Sequence, residues 1–521
     1  MMAGAGCTAR DASGNVPAPF NVCPARGMAA MSNPISANPI AEPKWTVLKF
    51  GGTSVAGRPQ WDMIARLARE RRAEGFRVLL VCSAVAGVTN RLAALAEGKE
   101  GGGGTADGVR ELIDRHRALG RELGVADGDW LPRAATMLQA CVADLQREPG
   151  PPASAALLAT GEWLSTRIGT RFLHQQGLDV AWVDAREALE ASAEPDLSPA
   201  RQWLSASCPA GTDPALASLW SGMAPVLVTQ GFVARNAQGG TVLLGRGGSD
   251  TSAALLAGRL GAQLLEIWTD VPGLFSADPH RVPAARLLAE VDYAEALEMA
   301  ASGAKVVHPR SIRAAAETQT PVVVRDTGRP TVAGTRIGPC AEATGGIKTV
   351  TCQRNMAVML LQNVDARHQV GFLADVFDVF RRHGVSIDLV ATSETTTTVS
   401  LNKEANHLAS AGLDALQRDL GPHCTVKRFD DCVCVNLVGR GARTALTRLA
   451  PVMRYFEDRP LLMMSQSAND LCLSLLVLPG DDEALLRAAH DALIPDRAEG
   501  VFGDTWQRLS ACTGDGEAAA R

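Results

Sequence analysis

The sequence has no long hydrophobic run: in its 521 residues, no stretch approaches the roughly 18 uninterrupted apolar residues that a membrane helix needs. It also has no excess of basic residues, since 51 Lys and Arg stand against 56 Asp and Glu and give a net charge of −5. These absences speak against a membrane protein and against general nucleic-acid binding. They favour a soluble protein that acts on small molecules.

The twelve cysteines form neither paired CxxC knuckles nor the spacings of a small secreted disulfide framework. Reduced thiols in the cytoplasm are therefore expected, with no metal site built only from protein groups. Residues 1–44 are rich in Ala, Gly, Pro, Ser and Asn without a sustained period, which predicts a disordered leader. This leader is not a signal peptide, because no apolar segment follows a basic start.

From residue 45, short apolar stretches alternate with amphipathic helical patterns, as in "WTVLKF", "DMIARLARERRAEG" and "FRVLLVCSAVAG". This alternation predicts an α/β domain over residues 45–340, with an open, mostly parallel sheet covered by helices on both faces. A Gly-, Pro- and Thr-rich stretch at 328–346 is typical of a linker.

Beyond this linker the order of elements changes. The patterns predict βαββαβ over residues 347–428 and nearly the same order over residues 429–498. We therefore expect two copies of a small α+β module, followed by a C-terminal tail at 499–521.

Two glycine-rich turns are candidates for binding a phosphate. In the first, Lys49 precedes Gly51 and Gly52 at the end of a strand, outside any P-loop pattern. In the second, "LLGRGGSD" places Arg246 between glycines immediately before an Ala-rich helix. Helix N-terminal N–H groups and an arginine favour an anion. The alternatives are an ordinary turn for the first segment and helix capping for part of the second.

Three further segments contain polar residues with a possible role in binding. "IWTDVPGLFSADP" places Thr269 and Asp270 at a strand end, where ligands bind in open α/β sheets, and Phe275 nearby to cover a flat base. A plain β-turn is the alternative. Glu162 at a helix start and Lys305 near a helix end also have ordinary structural explanations.

Together these segments resemble the aspartate kinases of the amino-acid-kinase family. The resemblance spans residues 45–498 and rests on seven segments in the family's order: "KFGGTSV" (49–55), "SAVAGVTN" (83–90), "TGE" (160–162), "QGF" (230–232), "LGRGGSD" (244–250), "WTDVPG" (268–273) and "GAKVVHP" (303–309). It implies an amino-acid-kinase fold followed by two ACT regulatory domains. The kinase region also resembles the kinase part of bifunctional aspartate kinases.

The resemblance implies roles for individual residues. The catalytic group is Lys49, Ser249 and Asp250. The aspartate site comprises Ser83, Thr89, Glu162, Phe232 and Arg246, with Arg246 on the α-carboxylate and Glu162 on the α-ammonium group. ATP, bringing its own Mg²⁺, is expected to contact Gly51, Gly52, Thr269, Asp270, Phe275, Lys305 and Val306.

The chain departs from the family pattern at two places in the nucleotide region. The family often has an aromatic hydroxyl where Phe275 stands, so one hydrogen bond is lost. It usually has an arginine directly after Asp-Pro, where this chain has His280 followed by Arg281. Arg281 is therefore not included among the residues expected to contact the nucleotide.

The segment "GFLADVFDVFRRHGVSIDLVATSE" resembles the effector site of lysine-sensitive aspartate kinases. The resemblance implies that lysine binds between chains at Gly371, Phe372, Leu373, Asp388, Thr392 and Ser393. A homo-oligomer, with a dimer favoured, is implied because such sites form where modules pair.

The leading hypothesis is a feedback-regulated kinase that converts ATP and L-aspartate to ADP and 4-phospho-L-aspartate, the entry step to lysine, threonine and methionine. Three alternatives stay open: a related kinase for glutamate or acetylglutamate, a non-catalytic amino-acid sensor, and the kinase part of a longer bifunctional enzyme. Threonine remains a second candidate effector.

Overall fold

The computed structural model describes residues 44–99, 104–128, 130–304, 306–339, 345–362, 370–480, 482–497 and 500–511. The leader predicted over residues 1–44 lies outside the described residues, apart from Lys44 at its end. Within these ranges, no helix combines the length and the apolar character needed to cross a membrane.

The N-terminal part alternates strands and helices as predicted. Its strands are β1 (Trp45–Phe50), β2 (Arg77–Cys82), β3 (Val180–Trp182), β4 (Val226–Gln230), β5 (Val233–Arg235), β6 (Thr241–Leu243), β7 (Leu264–Thr269), β8 (Arg286–Leu288), β9 (Glu290–Val291), β10 (Val322–Asp326) and β11 (Thr335–Ile337). Its helices are α1 (Arg58–Ala73), α2 (Val88–Ala96), α3 (Gly104–Glu122), α4 (Trp130–Arg147), α5 (Pro151–Leu158), α6 (Thr160–Gln175), α7 (Ala185–Ala188), α8 (Pro199–Leu204), α9 (Pro214–Ser221), α10 (Gly248–Arg259), α11 (Tyr293–Ala301) and α12 (Pro309–Glu317).

Eight of these strands form one sheet in the order β3-β4-β2-β1-β7-β10-β11-β9. Every neighbouring pair is parallel except β10 with β11. The prediction of a mostly parallel sheet is confirmed, and the order places β1 in the interior of the sheet.

Helices cover both faces of this sheet because its central strands are apolar on both sides. Val47 of β1 packs in the cluster that contains Leu255 of α10. The next residue, Leu48, points to the other face and packs with Trp61 of α1 and Phe172 of α6. A strand whose successive residues are all buried is typical of a sheet with helices on both faces.

The C-terminal part is built around a six-stranded antiparallel sheet in the order β13-β14-β12-β15-β17-β16. Its elements are β12 (Thr349–Gln362), α13 (Phe372–Arg382), β13 (Leu389–Thr392), β14 (Thr396–Asn402), α14 (Ser410–Leu420), β15 (Thr425–Val438), α15 (Ala442–Ala445), α16 (Ala450–Met453), β16 (Leu461–Gln466), β17 (Cys472–Val477), α17 (Asp482–Leu493), β18 (Phe502–Thr505) and α18 (Trp506–Ala511).

Strand β12 belongs to both predicted modules. Its second half pairs with β14 and contributes Met359 to the core beneath α13 and α14. Its first half pairs with the second half of β15 and contributes Val350 to the core beneath α16 and α17. A register shift between Gln353 and Met356 separates the halves.

The predicted modules at 347–428 and 429–498 are therefore not simply consecutive in the chain. The second module takes one strand from residues 349–353, which fall within the range predicted for the first module. Consecutive patterns could not show this exchange, because it depends on which strands pair.

The segment predicted only as a tail at 499–521 contains regular structure over its described residues. Strand β18 pairs antiparallel with β8 of the N-terminal part, with Phe502 opposite Leu288. Helix α18 follows directly. The partner strand lies more than 200 residues earlier, so the short pattern around β18 carried no sign of its pairing.

Candidate active site

A cavity of about 390 Å³ lies at the carboxyl ends of β1, β2 and β4. Open α/β sheets bind ligands at this edge. The cavity brings together the eight residues that the sequence analysis assigns to catalysis and to aspartate binding, and two that it assigns to ATP: Lys49, Ser249, Asp250, Ser83, Thr89, Glu162, Phe232 and Arg246, with Gly51 and Gly52. We call it the smaller cavity.

Parallel pairing brings the strand ends of the smaller cavity into line. Phe50 at the end of β1 lies opposite Cys82 at the end of β2. Ser83 continues this ladder by donating its N–H to the Phe50 carbonyl oxygen at 3.1 Å. Gly231, just after β4, donates its N–H to the Cys82 carbonyl oxygen at 3.0 Å. Three turns distant in sequence thus meet at one place.

Lys49 and Asp250 form an ion pair in the smaller cavity. The distance between Nζ and Oδ1 is 2.6 Å, and neither side chain is more than 15% exposed. Asp250 lies in the first turn of α10, where N–H groups favour an anion. Gly247 caps this helix with a φ of 65°, and a Cβ there would lie 2.4 Å from the Cβ of His308. The lysine and the bare helix end together suit a phosphate.

Phe232 has a left-handed backbone, with a φ of 71°. Such a conformation costs a non-glycine residue about 1–3 kcal/mol and persists where the surroundings hold it. Here the Phe232 N–H donates to Ser252 Oγ at 3.1 Å, and the ring packs so closely on Gly248 that a Cβ there would lie 2.5 Å from it. The strained turn keeps the backbone of Phe232 at the cavity wall.

Glu162 is a buried carboxyl group in the first turn of α6 and is only 3% exposed. Burial raises the pKa of Glu162 to about 8, although backbone hydrogen bonds at Ala84 and at Glu162 itself act in the opposite direction. In the described part of the chain, Oε2 is buried without a hydrogen-bond partner. A buried carboxyl group with a spare oxygen beside a cavity is suited to a cationic ligand group, whose charge favours the ionised form.

A larger cavity of about 650 Å³ adjoins the carboxyl end of β7. It is lined by the predicted nucleotide residues Thr269, Asp270, Phe275 and Val306. Phe275 is buried, with 7% exposure. Arg246 lines this larger cavity as well as the smaller one, so the two meet at its side chain. The remaining predicted nucleotide residue, Lys305, lies outside the described residues.

Arg281 also lines the larger cavity, but an acidic residue of the C-terminal part engages it. Its Nη2 donates to Asp482 Oδ2 of α17 at 2.6 Å. Arg354 donates to the same oxygen through Nε at 2.9 Å. Two guanidinium groups therefore share one carboxylate at the border between the two parts of the chain, and they hold the pKa of Asp482 below its ordinary value against the opposing effect of its burial.

Sequence reasoning missed that the C-terminal part lines the larger cavity. The residues from Thr349 to Asn355 in β12 contribute to its wall, as do Asn402 at the end of β14 and Glu404 and Ala405 after it. None of these positions lies in a glycine-rich or strand-end motif. Only the packing of β12 along the N-terminal part brings them to the cavity.

The predicted effector residues lie in the first module of the C-terminal part. Gly371 caps α13 with a φ of 92°, and Phe372 is buried behind it. Thr392 ends β13, whereas Asp388 precedes this strand and accepts a hydrogen bond from the Asn402 N–H at 2.5 Å. The remaining two predicted residues, Leu373 and Ser393, adjoin these positions. Neither cavity described above includes any of the six.

The distances along β13 bear on how one ligand meets these effector residues. Asp388 and Thr392 are four residues apart on an extended segment, which corresponds to about 13 Å. They therefore lie at opposite ends of β13, an edge strand of the sheet.

Comparison with known proteins identifies the family to which this chain belongs. Residues 44–326 match the amino acid kinase family. The lysine-sensitive aspartokinase 3 of Escherichia coli is 32% identical over 466 residues, which cover 86% of this chain and 98% of that protein. Bifunctional aspartokinase/homoserine dehydrogenases also match, as predicted for the kinase region.

Two solved structures of E. coli aspartokinase III resemble this fold closely. The complex with aspartate and ADP has a TM-score of 0.73 at 30% identity and covers 87% of this chain and 100% of that one. The complex with lysine and aspartate has a TM-score of 0.71 at 29% identity, with the same coverage. The predicted fold class and family are thereby confirmed. This chain belongs to the aspartokinases of the amino acid kinase family and is a phosphotransferase that acts on aspartate.

Proposed function

We propose that the smaller cavity binds L-aspartate and the larger cavity binds Mg-ATP, so that the γ-phosphoryl group passes to the β-carboxylate beside Lys49. The observation that carries this proposal is that Arg246 lines both cavities, while the ion pair of Lys49 with Asp250 lies in the smaller one. The products are ADP and 4-phospho-L-aspartate.

In the smaller cavity, Arg246 binds the α-carboxylate of aspartate and Glu162 binds the α-ammonium group. An arginine holds a carboxylate by two parallel hydrogen bonds, and the buried Oε2 of Glu162 gains the partner that the described protein groups do not supply. Thr89 and the backbone of Phe232 support the substrate. The β-carboxylate is then directed toward Lys49, Ser83 and the turn at Gly51 and Gly52.

The chemistry needs no general base, because a carboxylate is already ionised and nucleophilic at neutral pH. The main obstacle is the repulsion between this anion and a polyanionic triphosphate. Lys49 and the N-terminus of α10 reduce it by electrostatic stabilisation of the transferring group. Ser249 and Asp250 orient the lysine and the phosphates. This mechanism involves no covalent enzyme intermediate.

In the larger cavity, Thr269, Asp270, Lys305 and Val306 contact the nucleotide and Phe275 covers the base. We propose that Mg²⁺ enters with ATP and is held mainly by phosphate oxygens. The ion pair of Asp250 with Lys49 supports this proposal. Because this carboxylate beside the proposed phosphoryl group is already paired, the phosphate oxygens supply most of the metal ligands. When bound, the metal supplies further neutralisation of the phosphate charge.

We propose that lysine regulates the enzyme at a site that two copies of the chain form together. Gly371, Phe372 and Leu373 supply backbone groups, Asp388 pairs with an ammonium group, and Thr392 and Ser393 complete the pocket. The separation of these residues along β13, and the apolar surface at Val390 and Leu373, which are 43% and 41% exposed, support pairing of modules in a homodimer.

A cytoplasmic location agrees with the free thiols of the described cysteines.

The test is release of ADP by the purified full chain with Mg-ATP, with L-aspartate, with L-glutamate, or with neither. We expect release that depends on aspartate and falls on addition of lysine. Lys49→Ala serves as the matched inactive control. A folded protein that turns over glutamate instead would move the assignment to a related kinase, and one that binds lysine but not ATP would favour an amino-acid sensor.

A further inference from the structure

The C-terminal residues 500–511 lie against the wall of the larger cavity that carries Phe275. Strand β18 pairs with β8, and Leu287 of β8 in turn forms an antiparallel bridge with Phe275. At the start of α18, the Trp506 N–H donates to the Ala285 carbonyl oxygen at 2.8 Å. This segment is therefore built into the same small sheet as the cavity wall.

The indole of Trp506 contacts three side chains at this wall. The ring centroids of Trp506 and Phe275 are 5.6 Å apart at an interplanar angle of 85°. The His280 ring lies 5.5 Å away at 66°, so both pairs have the edge-to-face geometry that aromatic rings prefer. The guanidinium of Arg329 lies 4.5 Å from the indole centroid, within cation–π distance.

These three partners come from two different segments of the chain. Phe275 and His280 line it directly. Arg329 forms an ion pair with Asp326 at 3.1 Å, and the adjacent Thr327 donates both its N–H and its hydroxyl to the Thr269 carbonyl oxygen. Trp506 thus connects the loop after β7 with the aligned ends of β7 and β10.

Packing must fix the orientation of Phe275, because a phenyl ring has no polar group through which a hydrogen bond could hold it. The ring is buried, and Trp506 presents its indole at a right angle to it. Loss of the indole would leave both Phe275 and His280 without this support. The ring of Phe275 and the side chain of His280 could then turn into the cavity or away from it, while bonds such as that from Thr349 Oγ1 to the Phe275 carbonyl oxygen at 2.8 Å hold the backbone.

We propose that Trp506 is a positioning residue of the nucleotide site, which holds Phe275 and His280 in the arrangement that binds ATP. The proposal rests on the assignment of the larger cavity to ATP. It gives the C-terminal segment a role in catalysis although no residue of α18 lines either cavity among the described residues.

The test compares three variants of the full chain. Trp506→Leu keeps apolar volume but removes the aromatic face, Trp506→Phe keeps an aromatic ring, and Gln507→Ala changes an exposed neighbour on the same helix. For each we would measure KM for ATP, KM for aspartate, kcat, and the equilibrium affinity for Mg-ADP without aspartate.

We expect Trp506→Leu to weaken Mg-ADP binding and to raise KM for ATP about tenfold, which corresponds to about 1.4 kcal/mol. KM for aspartate should stay within about twofold, because the smaller cavity contacts none of the three partners of Trp506. Trp506→Phe should recover most of the nucleotide affinity, and Gln507→Ala should match the unchanged protein. A purely structural role would instead affect both substrates and the thermal midpoint together.

Unchanged Mg-ADP affinity in a folded Trp506→Leu protein would overturn the proposal, as would an equal rise of both KM values that phenylalanine does not rescue. If the leucine variant fails to fold, the change in tryptophan fluorescence on adding Mg-ADP decides. A smaller change in Trp506→Phe than in the unchanged protein supports the packing of Trp506 against the nucleotide site, and an equal change opposes it. Failure of the unchanged protein to bind Mg-ADP would contradict the proposed function instead, so the two failures are distinguishable.

Discussion

Aspartate binding should strengthen as the pH rises, because Glu162 must lose a proton before it can pair with the substrate's ammonium group. Its carboxyl group is buried, and burial raises its pKa to about 8. Since the pKa in the folded protein lies above the ordinary value, the free protein holds this group mainly protonated at neutral pH. A ligand that needs the ionised form has an apparent dissociation constant proportional to 1 + 10^(pKa − pH).

This relation gives the size of the expected effect. Between pH 6 and pH 8 the factor falls from about 100 to about 2, so KM for aspartate should fall about 50-fold. KM for ATP should change far less over the same interval, because Glu162 does not line the larger cavity. Initial rates of ADP release, measured over a series of aspartate concentrations at each pH, provide the profile.

Glu162→Gln is the matched variant, since the amide resembles the protonated acid and cannot ionise. We expect its KM for aspartate to be at least about 50-fold above that of the unchanged protein at pH 8 and to be nearly flat from pH 6 to pH 8. Its stability provides an independent check. Because the pKa of Glu162 is raised in the folded protein, the free energy of unfolding falls as the pH rises from about 4.5 to about 8. The amide variant should therefore have the higher unfolding midpoint at pH 8. A flat profile in the unchanged protein, or an unaltered KM in Glu162→Gln, would refute the role of this residue.

Three further substitutions test other parts of the structure. Lys49→Ala should abolish measurable turnover, a loss of at least about 10²–10³ in kcat, while circular dichroism stays unchanged; an active variant would contradict its role. Asp388→Ala should keep basal activity but lose inhibition by lysine, and retained inhibition in a lysine titration would exclude the proposed effector site. Lys348→Met should lower the free energy of unfolding by about 3–5 kcal/mol, measured by denaturant titration, because it leaves the buried Glu295 carboxylate without the lysine that lies 2.5 Å from it. A loss below about 1 kcal/mol would show that the backbone N–H of Arg440, which donates to Glu295 Oε1 at 3.1 Å, is sufficient to hold this carboxylate.

The sequence allowed prediction of the smaller cavity because each of its segments has a local requirement that leaves a local mark. Lys49 lies near the end of an apolar strand and precedes a glycine turn, and Arg246 lies between glycines just before a helix. Each of these marks also has an ordinary structural explanation, and the order that the segments share with the aspartate kinases is what predicted a single site. The alternating apolar pattern likewise predicted the sheet and its two helical layers. The ion pair between Lys49 and Asp250 forms because Lys49 lies near the end of β1 and Asp250 lies in the first turn of α10.

The wall that β12 builds against the larger cavity, and the packing of Trp506 behind Phe275, could not be predicted in this way, for a physical reason. Its contacts join residues more than 100 positions apart, as between Arg281 and Asp482 or between Phe275 and Trp506. A tryptophan at the start of a six-residue helix, or an aspartate in a helix's first turn, satisfies ordinary local preferences and therefore leaves no unusual pattern. What makes these residues important is the pairing of β18 with β8 and the division of β12 between two modules, and both depend on tertiary packing rather than on periodicity. For the same reason, the C-terminal part is not an appendage to a complete catalytic domain: it supplies part of the wall of the cavity to which we assign ATP.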